Sequence, residues 1–484
     1  MKKLLKVFFA ILVILVTSLT PAKSHAANLD ISKFNILCSE SVSTKIEGGI
    51  LNVFLNTFRP NIKVFFRIDL GNAQPTSLNI GSSKLDVPVN GSFQLSVNSG
   101  DFLKLNSIDT PIRTIKDFDG NILVNIYSAP KDFPKISLSG DTKLIENKQM
   151  LTTPVVKGGT YAVASIGEKI KYFIYSPLNL IGFRNIDDSQ SKPALGGTPV
   201  YAYLEQKDFG VTATSPGVWR LLDKNFNQLE KINDVKTKYG TLPPEGHGMT
   251  TSPSGHAVVI VTPTRQVDSS WLKRQYKLPV LDCSIVEVRN GVAIKEFNWW
   301  DWASNHRNIS QPLLDSMPLF NDPQNPKSSP IDVCHANSLE YYKPLNVYLV
   351  SLRSPSIIVM LSADLKSIKA ILPTNNSLQH FARFYSKDRI TAFGNYTFGK
   401  TSKFLDFKLS SGIWKLTEYD LPIHLEYCAN ANFLDSKHIW VGGGCGPAEP
   451  GLVGVIYELN GKKVSEIGRV KMDPFVYSYR ADVL

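Results

Sequence analysis

From about residue 155 onward the chain alternates apolar and polar positions in short runs broken by Gly, Asn, Asp, Ser and Pro, with little 3.6-residue periodicity. Alternation sends successive side chains to opposite faces of a strand, so the pattern predicts an all-β chain. Aligned, the runs repeat. Ile285-Val286-Glu287-Val288 precedes Asn290-Gly291, Val455-Ile456-Tyr457-Glu458-Leu459 precedes Asn460-Gly461, Phe404-Leu405-Asp406-Phe407 precedes Ser411-Gly412, and Ile357-Ile358-Val359-Met360 precedes Ala363-Asp364. Val218-Trp219-Arg220-Leu221-Leu222 and Tyr172-Phe173-Ile174-Tyr175 are weaker earlier copies. A second hairpin lies upstream of each, as at Met249 to Val261, where Ser252-Pro253-Ser254-Gly255 supplies the turn. Two hairpins make a four-stranded unit, and the units fall near 155–195, 198–240, 247–300, 335–372, 380–422 and 428–470. Six such units predict a six-bladed β-propeller, with a loop insertion from about Trp299 to Pro330.

Residues 28 to about 135 carry further alternating strands, such as Val53 to Phe58, Lys63 to Ile68 and Phe93 to Val97, interrupted by Pro60, Pro75 and Pro88. They fit a small β-sandwich-like domain. Ahead of it, Lys2, Lys3 and Lys6, an apolar run from Val7 to about Leu19 and Ser24-His25-Ala26 form an export signal too short to span a bilayer. The expected organisation is a signal peptide at 1–26, a β domain at 27–135 and the propeller at 136–484, in a bacterial Sec substrate that is periplasmic or secreted.

Loss of Lys2, Lys3, Lys6 and Lys23 with the signal lowers the net charge from +11 to +7. The charges are dispersed singly along strands, which argues against nucleic acid and for small anions. The five cysteines are Cys38, Cys283, Cys334, Cys428 and Cys445. In an oxidising compartment they predict one or two disulfides. Cys428 and Cys445, flanking Gly442-Gly443-Gly444, are the favoured pair, and Cys334 reads as a packed residue. No spacing matches a zinc site, and no P-loop or dinucleotide fingerprint calls for a cofactor.

Three histidines share one phase of the repeat: Gly246-His247-Gly248, Cys334-His335-Ala336 and Gln379-His380-Phe381. At the start of innermost strands they would converge on one mouth of the central channel. His335, His380 and Cys428 lie 45 and 48 residues apart, as blade periods should. Around them, Asp332 to Leu361 runs through His335-Ala336-Asn337-Ser338-Leu339 and Ser351-Leu352-Arg353. That stretch resembles the core motif of the bacterial PAPS-independent aryl sulfotransferases. Gln379-His380 with Asp388-Arg389-Ile390-Thr391-Ala392-Phe393-Gly394-Asn395 resembles the segment that carries the family's sulfate-accepting histidine, and Tyr477 to Leu484 its terminal signature. The resemblance covers roughly His247 to Leu484. It departs from the family pattern at Gly246-His247-Gly248-Met249 and at Ser354.

The resemblance implies an enzyme that moves a sulfonate from a phenolic sulfate ester to an acceptor phenol by a ping-pong route, needing neither nucleotide nor metal. His380 would be the nucleophile, Arg353 and Asn337 would hold sulfonate oxygens, and His335 and His247 would transfer the proton or contact the sulfonate. Phe381, Phe384 and Trp299 are candidate walls for flat substrates. Its partners would be small aryl sulfates and phenols, with no nucleic acid or membrane, and the N-terminal domain would contribute to a homodimer. Two other classes remain: a non-catalytic propeller that binds a ligand, and an aryl sulfate hydrolase. No Cys-x-Pro-x-Arg motif of formylglycine sulfatases occurs.

Overall fold

A computed structural model describes residues 34–38, 42–58, 63–69, 77–80, 83–86, 92–98, 111–116, 120–130, 132–186, 200–206, 216–273, 279–317, 330–395, 401–425, 428–444, 449–473 and 477–484. Apart from two short helices and a 3-10 turn, their regular structure is strand. The chain divides into two compact units, residues 1–55 with 63–130 and residues 56–62 with 131–484.

The first unit holds a three-stranded sheet of Asn35–Cys38, Lys63–Asp69 and Ser92–Asn98. Its second sheet is six-stranded and is centred on Ile50–Leu55 and Ile122–Tyr127, which run parallel with Val124 opposite Leu51. Both strands are almost wholly buried, and Phe54 stacks on Tyr127 at 4.9 Å between ring centres.

The second unit is a succession of antiparallel sheets. Leu180–Asn185, Tyr201–Gln206, Gly217–Leu222 and Gln228–Ile232 form one. Pro244–Thr251, Ala257–Val261, Ser284–Arg289 and Val292–Asn298 form the next. Two more run from Ala336–Tyr342 to Ile368–Pro373 and from His380–Ser386 to Ile413–Asp420, and another from Asn430–Phe433 to Lys463–Asp473. A further sheet joins the two ends of the unit: Tyr477–Val483 pairs with Gln149–Val156, which continues through Gly159–Ile166 to Lys169–Ser176. The innermost strands neighbour one another in a closed cycle, from Leu180–Asn185 round to Tyr477–Val483 and back. This is a propeller.

Tight hairpins set the register. Asn290 and Gly291 have φ of 51° and 73°, Ser411 and Gly412 of 52° and 77°, the left-handed pair that a two-residue turn needs to match strand twist. Middle strands are sealed between neighbouring sheets, whereas outer strands such as Ile413–Asp420 keep one face in water. Apolar clusters bridge adjacent sheets, as where Trp219 and Leu204 meet Val259 and Val286.

Two expectations shift. The first sheet does not span 155–195, because its inner strand is Tyr477–Val483, and the second spans Leu180 to Ile232 rather than 198–240. A linear repeat cannot reveal a strand contributed from the far end. The segment after Trp299 begins with the helices Trp299–Asn305 and Arg307–Asp315, the first capped by Asn298, whose Oδ1 accepts from Asp301 N at 2.9 Å.

Cys334 is no simple packed residue, because it is disulfide-bonded to Cys283. Val280–Leu281 and Ile331–Asp332 pair in parallel and bring together cysteines 51 residues apart. Cys428 is also disulfide-bonded; its expected partner, Cys445, lies outside the described residues, as do residues 1–26. Among the described residues no helix is long and apolar enough to cross a membrane.

Candidate functional site

Each of the three histidines sits where its inner strand begins irregularly. His247 occupies a bulge, where pairing with the next strand skips from Glu245 to Met249. The bulge folds the strand back so that Glu245 captures His247 twice: Oε2 accepts the His247 backbone N–H at 2.7 Å, and Oε1 pairs with Nδ1. His335 has a left-handed backbone, φ 47°, which returns its ring to Asp332, with Nδ1 2.6 Å from Oδ2. His380 opens its strand, and its Nδ1 meets Leu378 O at 3.2 Å and Asn395 Oδ1.

The partners divide the histidines by role. His247 and His335 each have a carboxylate against Nδ1, which fixes the ring and supports it when it takes up a proton. Among the described residues no carboxylate is bonded to His380. Asn395 donates through Nδ2 to the carbonyls of Leu425 at 2.9 Å and Cys428 at 3.0 Å, which fixes its Oδ1 toward His380. Both groups facing Nδ1 of His380 therefore only accept, so the ring proton lies on Nδ1 and Nε2 keeps its lone pair. Burial, then the charges of Arg353 and Arg480 and the other two histidines, holds His380 well below the usual histidine range. Burial also lowers His247, against the pull of Glu245. Burial alone would raise Asp332, but His335, the Cys334 N–H and Arg353 bring it down.

The five residues expected from the sequence meet. The rings of His247 and His335 lie 5.5 Å apart. Arg353 N donates to His335 O at 3.1 Å, tying the arginine's segment to that histidine. Asn337 Nδ2 donates to Gln379 O at 2.7 Å, beside His380, while its Oδ1 is buried with no hydrogen-bond partner. Gln379 in turn donates to Ser351 Oγ, Leu352 O and Ile357 O and accepts from Thr374, locking the approach to His380. The aromatic candidates are otherwise employed. Trp299 packs against Trp302 in the insertion, Phe384 stacks on Tyr342 at 4.0 Å, and Phe381 is buried 4.7 Å from the Arg480 guanidinium.

Sequence reasoning missed the residues supplied by other inner strands. Arg480 Nη1 donates to His247 O at 3.2 Å and Nη2 to Asn337 O, and Arg184 Nη2 donates to His247 O at 2.8 Å. Both arginines are almost wholly buried. The Tyr479 ring meets His247 edge-on at 5.2 Å. The terminal signature contained Tyr479 and Arg480, but nothing in it showed that this strand closes the cycle. Buried tryptophans clasp the inner strands from the side: Trp219 Nε1 donates to Glu245 O at 3.1 Å and Trp440 Nε1 to Ala481 O at 2.6 Å. Among the described residues no three of His, Cys, Asp and Glu converge to hold a metal ion.

No family model matches the chain, and no curated protein does. Solved structures that it resembles include a protein of unknown function from Bacteroides caccae, at 11% identity over 66% of this chain and 94% of that one, with a TM-score of 0.37. A protein from Lactobacillus plantarum matches at 9% identity over 85% of this chain and 100% of that one, also at 0.37. A streptogramin B lyase matches at 11% over 70% and 98%, at 0.33. At that level of superposition these likenesses carry no functional argument.

Proposed function

We infer that this protein is an exported, PAPS-independent aryl sulfotransferase built on six blades, with His380 as a transient sulfonate carrier. One observation carries the inference: His380 is buried beside Arg353 and Arg480 and has only acceptors against Nδ1, which calls for the ring proton there and leaves the Nε2 lone pair available.

In the first half-reaction Nε2 attacks the sulfur of an aryl sulfate, the N–S bond forming as the S–O(aryl) bond breaks. The ring becomes cationic, and the bonds from Nδ1–H to Leu378 O and Asn395 Oδ1 strengthen as it does. The departing phenolate takes a proton from His335 or His247, the two rings with carboxylates behind them. Arg353 presents its planar fork to two sulfonate oxygens. Asn337, with one amide hydrogen committed to Gln379, offers the other to the third oxygen. In the second half-reaction the acceptor phenol returns its proton to the same imidazole, its oxygen attacks sulfur, and the N–S bond breaks. No cofactor enters, because the donor ester is already activated. The export-signal pattern and the Cys283–Cys334 disulfide support an oxidising compartment.

The test is mass spectrometry of the His380 peptide after exposure to a chromogenic aryl sulfate alone. A labile sulfonate on His380, absent from His380→Ala and discharged by added phenol with formation of a new ester, is the expected result. Phenol release indifferent to acceptor would make the protein a hydrolase, and neither release nor adduct would leave a ligand-binding propeller.

A further inference from the structure

Beside His247 and His335 lies a cavity of about 10 Å³, lined by both rings, Glu245, Asp332, Thr262, Leu281, Ala336 and Asp282. That is about the space the centre of one water molecule needs. Asp282 has no part in the chemistry derived above, yet it is 1% exposed and its Oδ2 is buried with no hydrogen-bond partner. Its other oxygen, Oδ1, caps the backbone by accepting from Cys283 N at 2.8 Å and Trp300 N at 3.2 Å. A carboxyl needed only as a cap would not have to line a cavity shared with two histidines and keep a second oxygen without a hydrogen bond.

The backbone holds this arrangement. Leu281 lies opposite Asp332 in a parallel pair, and Val333 N donates to Leu281 O at 3.2 Å. The next residues, Cys283 and Cys334, are disulfide-bonded with Cα atoms 5.9 Å apart. Asp282 and His335 each flank a half of that bridge, so they share a wall of the cavity by covalent constraint. Of the charged groups around Asp282, the two carboxylates are engaged with the histidines, and Arg265 pairs with it only at long range. Glu245 and Asp332 hold His247 and His335. Arg265 keeps its Nε 3.9 Å from Oδ2 while its Nη2 pairs with Asp301 at 2.6 Å, and the Asn298 amide donates to Cys283 O and Ser284 Oγ.

We propose that Asp282 is the proton reservoir of the His335–His247 pair, exchanging a proton with it through one water in the shared cavity. The proposal rests on the sulfotransferase reading. In the first half-reaction the imidazolium gives its proton to the phenolate oxygen and is reloaded from the Asp282 carboxyl, leaving a carboxylate. In the second, the proton of the acceptor phenol returns by the same route and Asp282 is protonated again, so the cycle closes without a net proton. Burial, only partly offset by Asn298, the Cys283 and Trp300 N–H groups and Arg265, raises Asp282 to about 7, a range in which both forms are accessible.

The test follows the burst of phenol release against pH in the full chain, with Asp282→Asn and Asp282→Glu beside it. The wild type should lose burst rate as pH rises through about 7. Asp282→Asn, which keeps an oxygen for the backbone cap, should slow the burst at pH 6 by about tenfold or more and flatten that limb, and Asp282→Glu should restore part of both. An infrared band of a protonated carboxyl, titrating in the wild type and absent from Asp282→Asn, reports the group whether or not sulfonate moves. If the wild type bursts and Asp282→Asn keeps the same rate and limb, Asp282 is a cap and the relay is wrong. If the band titrates but the wild type gives no burst, the sulfotransferase reading fails and takes the relay with it.

Discussion

Arg480 reaches across 233 residues of sequence to donate to the carbonyl of His247, and the same guanidinium holds Asn337 O. One side chain from the closing strand thus ties together two other inner strands and adds positive charge beside His380. Replacing it with glutamine should remove charge-assisted bonds to two buried carbonyls and cost about 3 kcal/mol of stability. Arg480→Lys, a point donor without a fork, should recover only part. Denaturant unfolding of the three proteins measures this, and equal midpoints would show that the clamp contributes nothing.

His380 is held neutral in the folded chain, while an unfolded histidine titrates near 6.5. Below that pH the unfolded state binds a proton that the folded state refuses, so stability is full above about 6.5 and falls as pH drops. In His380→Gln the acid slope should lessen by up to about 1.4 kcal/mol per pH unit. Melting temperatures between pH 7 and 5 test the sign: a slope unchanged in the variant would mean that His380 protonates freely.

The Cys283–Cys334 bridge closes a loop of 51 residues. Constraint of the unfolded chain by a loop of that length contributes up to about 4 kcal/mol. The double variant Cys283→Ala with Cys334→Ala should unfold at lower denaturant by an amount in the range of about 2–4 kcal/mol. Because the bridge flanks His335, the sulfonate transfer proposed above should fall by more than the unfolded fraction explains.

Gly248 borders His247 on the side away from Glu245. A Cβ there would lie 2.6 Å from Ile260 Cδ1, 2.8 Å from Leu339 Cβ and 3.0 Å from Leu339 N. The isoleucine tip can move, but the Leu339 backbone belongs to the neighbouring inner strand. Gly248→Ala should cost about 1–3 kcal/mol and displace the His247 ring from His335. Chemical shifts of the two imidazoles would register the displacement directly.

Much of the architecture could be read from the chain because it depends on local chemistry. Asn290-Gly291 and Ser411-Gly412 adopt the turn geometry that such pairs favour, and the histidine phase marked the beginnings of three inner strands. The missing pieces depend on distance. Thr152 and Arg480 bond across 328 residues, so neither the true first sheet nor the arginine clamp has a local signature. Glu245 and Asp332 stand two and three residues before their histidines, yet only a bulge and a left-handed turn bring them into contact, and residue spacing does not announce either. The seven-residue helix Trp299–Asn305 is too short to establish a 3.6-residue rhythm.

The strand Tyr477–Val483 brings Tyr479 and Arg480 to inner strands that lie far from it in sequence. Until it docks against Gln149–Val156, the histidines on earlier strands lack their arginine clamp and the cycle stands open. The arrangement around the histidines is therefore a property of the closed ring of sheets and of no single strand in it. A protease that removed this strand would undo the closure and strip the arginine from the histidines while leaving every imidazole intact.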